Sequence, residues 1–190
     1  MAKMLLKIIK VWVPLAIIIS LFSGLVYGAV QQGLRQSAYD PQIQISEDTA
    51  SVLSSGKNPN EIISADKVDI SKSLASYIII FDKDGQPTTS SAQLDGRIPL
   101  PPKGVFAYTQ SHHQDRFTWQ PKPGVRSAVV VTYFSNGQTS GYVLAGRSMR
   151  ELEIREEMIL KDVVIGGSFI VLLALIFTLL FAKYHTKNVH

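Results

Sequence analysis

Two uncharged runs of 20 residues, 11–30 and 163–182, constrain this chain more than any other feature in it. As a helix, each is long enough to cross the roughly 30 Å hydrocarbon core of a bilayer. The charges sort around them. All 15 acidic residues lie in 31–162 with 14 of the 19 Lys and Arg, so that interval is close to neutral. The flanks carry only basic charge: Lys3, Lys7 and Lys10 before the first run, Lys183 and Lys187 after the second. Lys and Arg in short loops stay on the cytoplasmic side of a membrane. The pattern predicts a cell-membrane protein with a cytoplasmic tail at 1–10, a transmembrane helix at 11–30 and an extracytoplasmic domain at 31–162. A second transmembrane helix at 163–182 and a cytoplasmic tail at 183–190 complete it. The lipid bilayer is the first expected partner.

The middle interval has the size of one domain and can bury a real core. The pI of about 9.3 does not point to nucleic acid, because the excess positive charge belongs to the membrane flanks. With no cysteine, the domain must be held by packing alone, and thiol catalysis, Cys-ligated zinc and iron–sulfur clusters are excluded.

The first run also admits a signal-peptide reading, with Val26-Tyr27-Gly28 before Ala29 as a poor cleavage site. It is longer than the 7–15 residues of a usual signal core, which favours a retained anchor. Loss of residues 1–28 would leave one span. Within this run Ser20, Gly24 and Gly28 recur every four residues. They are either a packing face for the second span or a second copy in a homodimer, or the ordinary small-residue content of a membrane helix. Gly166-Gly167-Ser168 offers a matching surface. Neither span holds an ionisable side chain, which argues against an ion path through them.

Residues 31–39 read as an outward extension of the first helix, interrupted at Pro41. A second helix is expected over 45–53, with Ser46 as its candidate N-cap and Gly56 ending it. Tyr77-Ile78-Ile79-Ile80-Phe81 reads as a strand buried on both faces. Asp82-Lys83-Asp84-Gly85 turns it into a more exposed strand over 86–91. Prolines 99, 101 and 102 mark a linker, and 104–111 suits a short helix. Three strands follow: 116–120, with Phe117 and Trp119 on one face, then 125–134, then 142–145. Asn136-Gly137 joins the last two in a tight hairpin. Ser148-Met149-Arg150-Glu151 has a capping-box pattern, with Ser148 and Glu151 as the capping pair. One helix from there to residue 182 would span about 50 Å and serve as a strut from sheet to inner face. The expected fold class is α+β, an antiparallel five-stranded sheet with a long N-terminal helix, flanked by two transmembrane helices.

This series is a membrane helix, an Ile-Ile-Ile-Phe-Asp-Lys-Asp-Gly hairpin, an inserted helix, three strands and a helix returning to the membrane. It resembles the Cache or PAS-like extracytoplasmic domains of bacterial sensor kinases and chemoreceptors. The match covers roughly residues 31–162 and is closest over residues 77–91 and where the last strand meets the 148–162 helix. The resemblance implies an extracytoplasmic sensor in signal transduction, with a small ligand held between the central strands and the inserted segments. On that analogy Tyr108, Arg116, Trp119, Arg126 and Tyr133 are candidate ligand contacts. Arg116 and Arg126 flank a turn and can be read as converging on the carboxylate of an organic acid or amino acid, or as solvated strand-end charges with the aromatics in the core, which is preferred. Only eight residues follow the second run, so any output is expected to come from a membrane or envelope protein partner.

His112-His113 with Asp115 can be read as a metal or pH-sensitive group, or as plain polar surface, which is preferred. Asp82-Lys83-Asp84-Gly85 is a turn and not a calcium loop, since Ile80 and Ser91 would stand at the outer ligand positions. No Gly-x-Ser-x-Gly, His-Glu-x-x-His or phosphate loop occurs. The expectation is a non-enzymatic protein with no cofactor and no metal. Its domain either relays binding of a ligand or protein through the last helix, or serves as a structural accessory subunit of an envelope complex.

Overall fold

The computed structural model of the protein describes residues 2–63 and 66–187. Met1 and the end of the expected C-terminal tail, His190 included, lie outside the described residues. The chain divides into two compact units, Leu34–Glu153 and a pair of helical segments, Met1–Gly33 with Ile154–His190. The second unit belongs to two helices, α1 (Ala2–Ser37) and α5 (Arg150–Lys187), both long and apolar enough to cross a membrane.

The first unit is α+β. After α1 comes α2 (Asp40–Ser54), with Pro41 in its first turn, where the missing amide proton costs nothing. The helix therefore starts six residues before the expected cap. Ser46 is not an N-cap. It is fully buried in mid-helix and shares a 2.9 Å hydrogen bond with Thr132 Oγ1 on the sheet. With Gln42, Thr49, Ala50 and Leu53 it forms a narrow stripe of mostly small side chains. That stripe lets α2 lie close against the sheet.

The elements that follow are α3 (Pro59–Ile62), β1 (Val68–Asp69), β2 (Tyr77–Asp82), β3 (Pro87–Ser90) and β4 (Ala92–Gln93). Then come α4 (Gly104–His112), β5 (Gln114–Lys122), β6 (Val125–Ser135) and β7 (Ser140–Ser148). The sheet is antiparallel and five-stranded, in the order β3-β2-β7-β6-β5. The first hairpin thus joins the later three strands through β2 and β7. Residues 77–82 of β2 pair in register with 146–141 of β7. A two-residue parallel pair, β1 with β4, lies outside this sheet, and the sequence gives no sign of it.

Alternation along the strands divides the core in two. One face carries Tyr77, Ile79, Phe81, Trp119, Val129, Val131, Tyr142 and Leu144, covered by Ile70, Ala92, Val105 and Phe106 from the inserted segments. The other carries Ile80, Phe134 and Val143, covered by Ala50 and Leu53 of α2.

β2 and β7 meet tightly where Tyr77 crosses Gly146, since a Cβ there would land on the phenol ring. Tyr77 Oη and Ser127 Oγ are both buried, and neither meets the geometry of a hydrogen bond. Burial holds the Tyr77 phenol above its ordinary pKa, because the charged form cannot be solvated there. Two outcomes are expected in denaturation of the protein in detergent. Gly146→Ala should destabilise the domain by about 1–3 kcal/mol through overpacking. In the unfolded chain Tyr77 titrates near pH 10, so its contribution is complete below that pH and lost as the pH rises further. Tyr77→Phe should leave stability at neutral pH unchanged or raised by up to about 1 kcal/mol, and should lessen the alkaline loss.

Candidate functional site

The face under the inserted segments gathers an aromatic cluster. Residues 104–112 form α4 although its first turn has no side-chain cap, and this helix lays Phe106 onto the sheet. The Phe106 ring centroid is 4.9 Å from both Phe81 and Tyr142. Tyr133 stands 5.6 Å from Tyr142, and the His113 ring 6.4 Å from Tyr133. Gly85 makes room for the cluster: its φ of +74° suits the hairpin turn, and a Cβ there would sit 2.8 Å from the Phe106 ring. The turn is closed by Asp82 Oδ1, which accepts from the amides of Asp84 and Gln86 at 2.9 and 2.8 Å. Burial, and then the neighbouring Tyr133 phenol, raise the pKa of Tyr142. This surface is hydrocarbon with phenols beside it.

Of the five ligand contacts expected from the sequence, two share this face. Trp119 is buried in its core and Tyr133 is half-buried at its margin. Tyr108 is on the exposed side of α4, stacked on the His112 ring at 4.0 Å. His112 itself is engaged with Ser111 Oγ and the Tyr108 carbonyl. The arginines do not converge. Arg116 pairs in register with Val130, four residues from Arg126 along β6, which separates them by roughly 13 Å. Alternation also puts both on the face opposite Trp119. Arg116 Nε donates to Gln114 Oε1 at 2.9 Å, and Arg126 Nη1 to Glu153 Oε1 at 2.5 Å. β5 runs on to Lys122 before the turn, so Arg116 lies well back from the turn that Arg126 adjoins.

A second cluster fixes the start of α5. β7 ends at Ser148 and α5 begins at Arg150. Between them Met149 is buried, and its amide donates to the Arg126 carbonyl at 2.9 Å. The Arg126 side chain meets Glu153 one turn along, so β6 grips the helix through both backbone and side chain. Arg150 Nη2 donates to the Lys72 carbonyl at 3.0 Å and Arg147 Nε to the Leu74 carbonyl at 3.1 Å. The capping pair differs from expectation. Ser148 stays in the strand, paired with Ser127, and its Oγ accepts from the Arg150 amide at 3.3 Å. Strand pairing holds Ser148 back from the cap position, and Glu151 is exposed in the first turn. Its charge still suits the helix start there. Glu153 and Met149 were not legible as site residues, since nothing local distinguishes them from other helix positions.

In the helical unit, Trp12 Nε1 donates to the Val171 carbonyl at 3.2 Å, and a Cβ on Gly167 would sit 3.2 Å from Ser23 Oγ. Ser20 and Gly24 border a groove of about 590 Å³ shared with Gly167 and Ser168. A Cβ on Gly24 or Gly28 would meet nothing within 4 Å, so these glycines do not seat α5. At 3.6 residues per turn they are rotated about 100° and 140° from Ser23, which does face it.

No protein-family model matches the chain, and no curated protein or solved structure matches it either.

The Arg126 and Glu153 side chains are 40% and 38% exposed, so water screens their attraction. A double-mutant cycle with Arg126→Ala and Glu153→Ala should give a coupling of about 0.2–1 kcal/mol that shrinks in high salt. A salt-independent coupling of several kcal/mol would contradict this reading of the pair.

Proposed function

We propose that this is a non-enzymatic, two-pass membrane protein with both termini cytoplasmic and a Cache/PAS-like domain outside. In this reading the domain engages a membrane or envelope protein, and α5 carries the resulting displacement. The observation that carries it is the join of β7 to α5. A central strand passes into a membrane-length helix through a single buried residue, Met149, while Arg126 and Arg150 tie the first turn to the domain. A shift of the sheet at this point must move the helix start. The charge sorting supports the orientation. The hairpin, inserted helix and three further strands, combined in one antiparallel sheet, support the Cache/PAS-like assignment.

A protein partner is favoured over a small acid by the character of the two faces. The face under α4 is filled by the chain's own aromatic and aliphatic side chains. The two arginines that would hold a carboxylate point away from it and are bound to Gln114 and Glu153.

Two measurements on the full chain test this. Because the protein lacks cysteine, single substitutions report topology. Asn136→Cys should react with an impermeant maleimide on intact cells, and Lys187→Cys only after permeabilisation. The reverse pattern would reject the orientation. In detergent, organic acids and amino acids should leave the melting temperature unchanged. A concentration-dependent rise that Arg126→Ala abolishes would instead establish a carboxylate site.

A further inference from the structure

The helical unit holds a second, larger groove near the chain ends. It lies between the start of α1 and the last turns of α5 and has a volume of about 840 Å³. This is the size range of sites that hold small organic ligands. Val11, Phe177 and Leu180 line it with hydrocarbon. Thr178 also borders it, but its hydroxyl donates to the Ala174 carbonyl at 2.7 Å and is satisfied within α5. The charged groups on its border are the ammonium groups of Lys7 and Lys10, both exposed. Three residues apart on one helix, they are neighbours, with Cβ atoms about 5–6 Å apart. Tyr184 adds an aromatic ring with a hydroxyl at the same end, as is common at a membrane–water boundary.

The charges on this border have one sign. α1 contains no acidic residue, and the acids of α5 all lie between Glu151 and Asp162. Asp162 and Phe177 are 15 residues apart, about 22 Å along the helix. The groove therefore joins a hydrocarbon wall to a pair of cations without an anion beside them on either helix. A soluble phosphate would use the cations and leave the wall bare. An uncharged lipid would do the reverse.

We propose that this groove binds an anionic phospholipid, with an acyl chain along Val11, Phe177 and Leu180 and the phosphate head group on Lys7 and Lys10. Hydrocarbon burial supplies affinity, and the two ammonium groups select the head group. The inference rests on the two-span reading, but membrane extraction tests the spans and lipid selectivity tests the groove, so the two can fail separately.

The test uses the full chain purified in mild detergent, loaded with equal phosphatidylglycerol and phosphatidylcholine, and read by native mass spectrometry. One phosphatidylglycerol should be retained in preference to phosphatidylcholine. Lys7→Gln with Lys10→Gln should lower that preference by about tenfold or more, with helicity unchanged. Leu180→Trp, which fills the groove and keeps both charges, should lower retention of either lipid. Lys161→Gln, at the opposite end of the second apolar run, should change nothing. Equal retention of the two lipids in the wild type would overturn the proposal. So would a double variant that keeps its selectivity, or a Lys161→Gln effect as large as that of the double variant. Binding of inorganic phosphate with the same Lys7 and Lys10 dependence, but no lipid retention, would reject it in favour of a free anion.

Discussion

The pairing of β2 with β7 is the contact on which the sheet domain depends. Without it the chain has two separate β pieces, a hairpin and a three-stranded meander, each with apolar side chains on both faces and too little cover. Pairing residues 77–82 with 146–141 makes them one sheet and puts the most apolar strands at its centre. Residue 146 has to be glycine for this to close, because the Tyr77 ring occupies the space of its side chain. The cost is visible at the same place, where two buried hydroxyls, Tyr77 and Ser127, lack hydrogen bonds. The hydrophobic gain from the surrounding core must outweigh that desolvation.

The same pairing gives α5 its origin. β7 lies between β2 and β6, so the last residue of a strand held on both sides is followed almost at once by the helix. The Arg126–Glu153 pair is weak as a source of stability, being open to water. Its value is geometric. Together with the Met149 amide on the Arg126 carbonyl, it sets the angle and register of the first turn. A helix start fixed this way is suited to transmitting motion, which is why the proposed relay rests there and not on the aromatic face.

The two faces of the sheet show how far residue patterns reach. Phe117 and Trp119 alternate with Arg116 and Thr118, and that places the pairs on opposite sides correctly. It does not say which segment covers which side. That depends on where α2 and the inserted segments fold back, through contacts far apart in sequence such as Ser46 with Thr132. The β1–β4 pair is illegible for a related reason, since two-residue strands have no periodicity to read. Two helix N-termini, those of α2 and α5, were misplaced by a local rule. Ser46 and Ser148 have the chemistry of caps, but burial against the sheet holds one in mid-helix and strand pairing keeps the other in β7.

By itself the sequence determined what local physics controls. It marked two apolar segments of membrane length, the sorting of charge around them, the Asp-Gly and Asn-Gly turns and the alternation of the longer strands. These depend on the transfer of side chains from water and on backbone preferences of a few neighbouring residues. Only the tertiary structure decided which side chains meet. It separated Arg116 from Arg126, brought Phe106 onto Phe81 and Tyr142, and tied Glu153 to the sheet. It also set Ser23 against Gly167 of the second helix. The physical reason is that strand register and helix rotation follow from packing over the whole core, and one residue of slip or a quarter turn reassigns every contact.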